Sequence, residues 1–281
     1  MKIQYLGTAA AEGWPGLFCA CDMCQTARKR GGRNIRTRSQ AAIFAHEVDQ
    51  GTPDERLLID FPADTYMHCL NHGLRLQEIG HLIITHSHDD HFAPNDLAYR
   101  NNVFAVPNPP FPLHIYGNDK TEQAFMSGLK PHERQNMEFH IVETGQQFMA
   151  GAYKITALPA LHDRSERCLF YLIEHEGKAF LYGNDTGIFP PQAWEILSGH
   201  PIDVISLDCI TGKHKDGTNH MGLPDIIELK EMLASADCLK PDSRIILHHF
   251  SHNGGACHDE MVELARPHGF DVAYDGGVWT V

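Results

Sequence analysis

The most informative segment of this chain is THSHDDH, residues 85–91. It follows GHLII, residues 80–84, a short apolar run that predicts a buried strand. Four of its side chains can bind a metal ion: His86, His88, Asp90 and His91. Imidazole and carboxylate together suit borderline divalent ions such as zinc, manganese or iron. A solvated histidine-rich loop is the alternative, which we disfavour because polar groups crowded at a strand end need partners.

The spacing of these four residues resembles the HxHxDH signature of the metallo-β-lactamase superfamily. That family has further ligands at later strand ends, and the resemblance points in order to His162, Asp185 and His249. It implies one ion held by His86, His88 and His162. It implies a second ion held by Asp90, His91 and His249, with Asp185 as the bridging ligand. The matching motifs run from Gly7 to Gly276, and they imply the family's α/β fold, a four-layer αβ/βα sandwich.

Apolar periodicity predicts strands and helices in the proportions that such a sandwich needs. We predict an opening strand at 2–8, a helix at 65–74, and a hairpin formed by 167–174 and 178–182. Strands at 137–142 and 153–161 are expected to complete one half of the sandwich. The Pro- and Asn-rich segment 101–112 is predicted to be irregular and to form part of the rim of the site. We find no domain boundary and interpret residues 1–281 as one domain.

Three cysteines lie close together near the N-terminus, at Cys19, Cys21 and Cys24. A turn can bring three thiolates with this spacing onto one zinc ion, although the spacing alone leaves the fourth ligand unidentified. Three unrelated, packed cysteines are the alternative. The cysteine spacing and His249-x-x-His252 together resemble the PhnP-like phosphodiesterase branch of the superfamily. That resemblance implies His252 as the fourth ligand of a structural zinc in an N-terminal zinc-binding loop.

Composition limits the classes of function and the compartment. The formal net charge is −13 in 281 residues, which disfavours a general nucleic-acid binder because such proteins need a basic face. No apolar run approaches the length that spans a bilayer. Eight cysteines without a recognisable secretion signal favour a reducing compartment. We therefore expect a cytoplasmic protein without a membrane partner.

The predicted chemistry is hydrolysis of a small phosphodiester, such as a cyclic nucleotide or sugar phosphate. A hydroxide held by two zinc, manganese or iron ions would attack the phosphorus. His220 matches the position of the branch's candidate general acid, and a surface histidine is the equal alternative. Asp60, Asp208 and Asp275 end strands and are expected to orient ligands rather than bind metal.

Two other functions fit the same superfamily. One is a nuclease similar to tRNase Z, against which the acidic chain argues. The other is a non-hydrolytic protein similar to PqqB in cofactor biosynthesis, against which the complete ligand set argues. Homodimerisation is common among relatives, and the sequence does not test it. Several histidines match no family ligand and are expected to be ordinary surface or packed residues: His46, His68, His72, His81, His114, His132, His140 and His258.

Overall fold

The computed structural model describes residues 1–47 and 50–281, which form two seven-stranded sheets. The first sheet contains, in spatial order, β14 (Val278–Thr280), β1 (Lys2–Gly7), β2 (Gln40–Phe44), β3 (Arg56–Ile59), β4 (His81–Ile83), β5 (Leu113–Gly117) and β6 (Met137–Ile141). The second contains, in spatial order, β13 (Phe270–Val272), β12 (Leu239–His248), β11 (Ile202–Asp208), β10 (Lys178–Gly183), β9 (Leu169–His175), β8 (Tyr153–Pro159) and β7 (Gln147–Ala150).

Helices cover the outer face of each sheet. The described part of the chain forms six α-helices: α1 (Asp22–Arg30), α2 (Thr65–His72), α3 (Asp119–Gly128), α4 (Pro191–Leu197), α5 (Leu223–Ser235) and α6 (His258–Ala265). Phe125 of α3 packs with Leu82 on the first sheet, and Leu229 of α5 packs with Leu207 on the second. A third apolar cluster, which includes Tyr5 and Tyr171, fills the space between the sheets. These four layers confirm the predicted αβ/βα sandwich.

Three of the four strands that precede metal-binding side chains, β4, β10 and β12, lie in parallel parts of the sheets, whereas β8, which precedes His162, is antiparallel to both of its neighbours. β3 to β6 are parallel in the first sheet, and β10 to β13 are parallel in the second. Parallel neighbours need a crossover connection, and helices such as α2 and α5 supply it. Such strands are covered on both faces, which explains why β10 is almost continuously apolar. Their carboxyl ends point to one edge of the sandwich, where loops can converge on a common site.

The division of the chain between the two sheets differs from the prediction. We placed 153–161 in the same half as 137–142, but β8 lies in the second sheet, beside the unpredicted strand β7. The C-terminal strand β14 returns to the first sheet and pairs antiparallel with β1. Strand periodicity gives the buried face of a strand but not its partner, because pairing depends on contacts far apart in sequence.

The segment 101–112 is irregular, as predicted. Its Ala105 and Pro109 line an apolar cavity of about 240 Å³ together with Leu58 and Leu82. At these positions the segment covers the outer face of the first sheet, whereas we predicted it at the rim of the site. Among the described residues, no helix is both long and apolar enough to cross a membrane.

Candidate metal centre

The predicted metal-binding residues follow the ends of four strands. His86 to His91 lie in the loop after β4, and His162 follows β8 by three residues. Asp185 comes two residues after β10, and His249 directly follows β12. The fold therefore brings side chains from both sheets to the same edge of the sandwich.

Three imidazoles form the first group of this centre. Nε2 of His162 lies 3.3 Å from Nδ1 of His88. The ring of His86 is centred 4.5 Å from that of His88 and 4.8 Å from that of His162. One ligand nitrogen from each ring lies within 4.8 Å of the other two. This is the set that the resemblance assigned to one ion.

Asp90, His91, Asp185 and His249 form the second group, in which every residue is buried. Oδ2 of Asp185 lies 2.5 Å from Nε2 of His91 and 3.9 Å from Nε2 of His86. Its Oδ1 lies 2.9 Å from Nε2 of His249. The carboxylate of Asp185 therefore lies between the two groups, where a bridging ligand has to be.

The donor atoms fit bound cations. Among the described residues, Nε2 of His86, Nε2 of His91 and Oδ2 of Asp185 are buried without a hydrogen-bond partner. Nε2 of His91 and Oδ2 of Asp185 lie close together, but their geometry is not that of a hydrogen bond. Buried polar atoms normally have partners, and atoms that converge without any suit a metal ion. The oxygen and nitrogen donors together favour a borderline divalent ion.

Backbone strain positions three residues of the centre. Asp60, Asp185 and His249 have φ values of 64°, 44° and 60°. Residues other than glycine seldom adopt positive φ, and such strain is concentrated at functional sites. At these three strand ends the left-handed turn redirects the side chain from the sheet into the centre.

A buried carboxylate orients His91. Oδ2 of Asp60 accepts a hydrogen bond from Nδ1 of His91 at 2.7 Å, which leaves Nε2 facing the centre. Asp60 also accepts hydrogen bonds from the backbone and hydroxyl of Thr85. Burial raises the pKa of Asp60, although the charge of His91 opposes the shift. Burial alone would lower the pKa of His91, but the charges of Asp90, Asp185 and Asp60 outweigh it and raise that pKa.

Two further orienting residues escaped the sequence analysis. Oδ2 of Asp163 lies 3.1 Å from Nε2 of His88, so the other nitrogen of that ring faces the centre. Oγ of Ser39 lies 3.0 Å from Nδ1 of His249 and 3.0 Å from Nε2 of His248. The position of Asp163 directly after a predicted ligand was a usable signal. Nothing in the sequence marked Ser39, which lies in the loop before β2.

His220 lies beside the centre. Its Nδ1 is 2.7 Å from Oδ2 of Asp208 and 3.4 Å from Oδ1 of Asp185. Burial lowers the pKa of His220, but the charge and hydrogen bond of Asp208 outweigh it and raise the pKa to about 9. We expected Asp275 to orient a metal ligand. Its carboxylate instead accepts hydrogen bonds from Thr8 and Thr37 and so connects two loops.

The cysteine cluster forms a separate site. One ligand atom each from Cys19, Cys21, Cys24 and His252 lies within 4.8 Å of the other three. Nδ1 of His252 is 3.8 Å from Sγ of Cys19 and 3.5 Å from Sγ of Cys21. Two ligands of one tetrahedral zinc are separated by about 3.5–3.8 Å, given zinc–ligand distances of about 2.0–2.3 Å. The four side chains therefore fit a closed zinc site.

The thiols of this cluster differ in acidity. A hydrogen bond from the backbone N–H of Cys24 lowers the pKa of Cys21 to about 7. Burial raises the pKa of Cys24 to about 12. A cation lowers the pKa of a thiol that coordinates it. Binding of zinc would therefore release protons from this cluster, and most readily recruit the thiolate of Cys21.

Comparison with known proteins gives the same superfamily. The family model described as a β-lactamase superfamily domain matches residues 55–250. The structure is similar to a diphosphatase of the PhnP family, with a TM-score of 0.75, 22% identity, and 99% and 97% of the two chains covered. It is also similar to zinc-bound PqqB from Methylobacterium extorquens, with a TM-score of 0.71, 16% identity and full coverage of both chains. Human short-form tRNase Z gives a TM-score of 0.64 and 16% identity, over 100% of this chain and 99% of that one. No protein of curated function matches the sequence.

Proposed function

We propose a function from one premise, that this chain belongs to the β-lactamase superfamily. The proposed function is metal-dependent hydrolysis of a phosphodiester bond in a small molecule, such as a cyclic nucleotide or sugar phosphate. The superfamily hosts several reactions on one fold, so the choice has to come from the site. The observation that carries it is the position of the His220–Asp208 pair beside the bridging position of Asp185.

The two ligand groups would hold two divalent ions, zinc or manganese or iron. His86, His88 and His162 would hold one, and Asp90, His91 and His249 the other, with Asp185 shared. Such a pair supplies an activated water and stabilises charge on a phosphoryl group. The chain's own contribution is orientation, since Asp60 and Asp163 each hold one ring of the set with a carboxylate.

We assign His220 the delivery of a proton to the leaving oxygen. Nδ1 of His220 is hydrogen-bonded to Asp208, so Nε2 is the ring nitrogen that can contact a substrate. His220 also lines an open cleft with Thr211, His214 and Asn253, which gives the leaving group a place beside the proton donor. An imidazole with a raised pKa is protonated at neutral pH and can act as an acid.

Charge supports a small substrate over a nucleic acid. The net charge of −13 opposes binding to an extended polyanion, whereas a single phosphodiester meets mainly the local field of the bound ions. The PhnP-family structure with the same fold is that of a diphosphatase, which supports chemistry at phosphorus. Cys19, Cys21, Cys24 and His252 would hold a structural zinc, because a closed set of four ligands leaves no position for a substrate.

The test is hydrolysis of a panel of phosphodiesters by protein loaded with zinc or manganese. The panel contains a ribose 1,2-cyclic phosphate, a 2′,3′-cyclic nucleotide and an aryl diester. Asp185→Asn should lower the rate roughly a thousandfold, because several kcal/mol of transition-state stabilisation depends on the metal pair. Asparagine tolerates the positive φ at this position, so the change removes charge without new strain.

Asp242→Asn provides the matched control, since Asp242 is exposed and lies outside the centre. It should hydrolyse the panel like the unaltered protein. Turnover that survives Asp185→Asn would contradict the proposed centre. No turnover of any member by protein whose ions have been counted would contradict the proposed phosphodiesterase.

A further inference from the structure

A third group of metal-binding side chains lies at the other end of the first sheet. His114 belongs to β5, and Glu138 and His140 belong to the neighbouring strand β6. Nδ1 of His114 lies 3.1 Å from Nε2 of His140 and 3.5 Å from Oε2 of Glu138. One ligand atom from each residue lies within 4.8 Å of the other two. We predicted both histidines to be ordinary surface or packed residues.

Strand register explains why these three side chains meet. β5 and β6 are parallel, with His114 opposite Glu138 and Tyr116 opposite His140. Alternate residues of a strand share one face, so all of these side chains point to the same side of the sheet. Tyr116 packs between the two sheets, which identifies that side as the inner face. His114 and Glu138 are the second residues of β5 and β6, and His140 is the fourth residue of β6, so the group lies on the strands themselves and not in the loops that carry the His/Asp centre.

Neighbouring aromatic rings hold both imidazoles in place. The ring of His114 stacks on that of His81 at 5.3 Å, and the ring of His140 stacks on that of Tyr116 at 4.8 Å. His81 is itself fixed by Asp54, whose Oδ1 lies 3.2 Å from its Nε2. The two imidazoles also stack on each other at 5.4 Å, and these contacts limit rotation of both rings and keep Nδ1 of His114 close to Nε2 of His140.

We propose that His114, Glu138 and His140 bind one divalent transition-metal ion of the zinc class. Two nitrogens 3.1 Å apart can both lie about 2.0–2.1 Å from one ion, with the carboxylate as third ligand. Two imidazoles and one carboxylate suit zinc, cobalt, nickel or iron better than magnesium or calcium. The side chain of Glu138 is 58% exposed, so an ion there keeps solvent positions and exchanges more readily than one held by the buried group of Asp90, His91, Asp185 and His249.

The test counts zinc ions bound by the intact protein. Protein saturated at the His/Asp and cysteine clusters is desalted and then dialysed against buffered zinc at increasing free concentration. The unaltered chain should take up one further ion per chain. The double variant His114→Gln, His140→Gln should bind this ion at least tenfold more weakly. Metal analysis gives the count, which is independent of any hydrolytic activity.

Two more variants keep the test decisive. His132→Gln removes one exposed histidine elsewhere and should leave the additional ion bound. Glu138→Gln keeps both imidazoles and, at an exposed position, the fold, and it should weaken the additional ion to a smaller extent than the double variant. Equal uptake by the double variant and the unaltered chain would overturn the proposal, and the 3.1 Å contact would then be only a hydrogen bond between the two imidazoles. Loss of the ion in His132→Gln would overturn it as well.

Discussion

The His/Asp centre and the cysteine cluster are held in place in different ways. In the His/Asp centre, His91 and His88 each have a carboxylate at the second ring nitrogen, and His249 has the hydroxyl of Ser39. In the cysteine cluster, the thiols contact neighbouring backbone N–H groups and Nδ1 of His252. Cys21 is exposed, whereas every ligand of the second His/Asp group is buried.

This difference indicates which of the two sites has its ligand geometry fixed before a metal ion binds. Hydrogen bonds from a surrounding shell fix ring orientation in advance, so the His/Asp centre should keep its shape without ions. The cysteine cluster draws together a short N-terminal loop and residues after β12, and an ion would supply most of that connection. Its metal should therefore contribute to stability, and the metals of the His/Asp centre mainly to activity.

The two sites are also connected through the backbone. His249 and His252 are three residues apart, and the backbone of Phe250 between them hydrogen-bonds with Thr8 and Ala10. The segment with Thr8 and Ala10 leads into the loop that carries the cysteines, and Phe250 directly follows His249. We expect loss of the structural zinc to disturb the position of His249 as a secondary effect.

The largest effect on stability should follow Cys21→Ser. Cys21 caps α1 by accepting a hydrogen bond from the backbone of Cys24, and serine is a good cap at this position. The change therefore removes a zinc ligand while the helix end is kept. About one zinc per chain should be lost, with about 3 kcal/mol of stability, or roughly 6–12 °C in melting temperature.

Cys69→Ser is the control for this experiment, because Cys69 is a free cysteine outside the cluster. It should retain the full zinc content. If Cys21→Ser keeps both its zinc and its melting temperature, the cysteine cluster does not depend on a metal ion for its stability, and the proposed difference between the two sites is wrong.

Removal of the orienting carboxylate by Asp60→Asn should weaken the second ion of the His/Asp centre. Loss of such a partner typically lowers metal affinity about 10–100-fold. Asparagine accepts the left-handed backbone of this position and can still accept the hydrogen bond from Thr85. Metal titration of the variant should show weaker binding, and excess metal should restore hydrolysis. An unchanged affinity for the metal ion would show that the ligands keep their geometry without the carboxylate of Asp60.

The pH dependence of hydrolysis should report the Asp208–His220 pair. His220, with a pKa of about 9, carries its proton below that pH and loses it above, so its contribution as an acid declines as the pH rises through 9. Asp208→Asn removes the charge that raises this pKa, so the alkaline limb of the profile should move down by about one pH unit or more. Asp216 makes a smaller contribution to the same shift, and Asp216→Asn should move the limb less. An alkaline limb at the same pH in all three proteins would exclude His220 as the titrating acid.

The smallest effect should follow Ser39→Ala. The hydroxyl of Ser39 is a neutral partner of His249, and loss of one such hydrogen bond costs about 1 kcal/mol. Metal affinity should fall about fivefold, less than after Asp60→Asn, as judged by the same titration. A loss equal to that of Asp60→Asn would mean that charge is not what distinguishes the stronger orienting contacts.

The superfamily and the identity of the residues that the structure brings together could be predicted from the sequence. His86, His88, Asp90 and His91 are close because covalent spacing places them in one short loop. Apolar runs before His162, Asp185 and His249 predicted strands that end at a common edge. The three cysteines were recognisable for the same reason, since local spacing survives any arrangement of the rest of the chain.

The hydrogen-bond partners of these residues and the positions of the strands in the two sheets became known from the three-dimensional structure. Ser39 and His249 are 210 residues apart, and His114 and His140 meet only because β5 and β6 are neighbours in one register. The same holds for β8, which we assigned to the other half of the sandwich, and for the positive φ of Asp60, Asp185 and His249. The spacing of apolar residues along the sequence indicates which face of a helix or strand is buried. The choice of neighbour is made by the packing of the whole chain, and a linear pattern does not encode it.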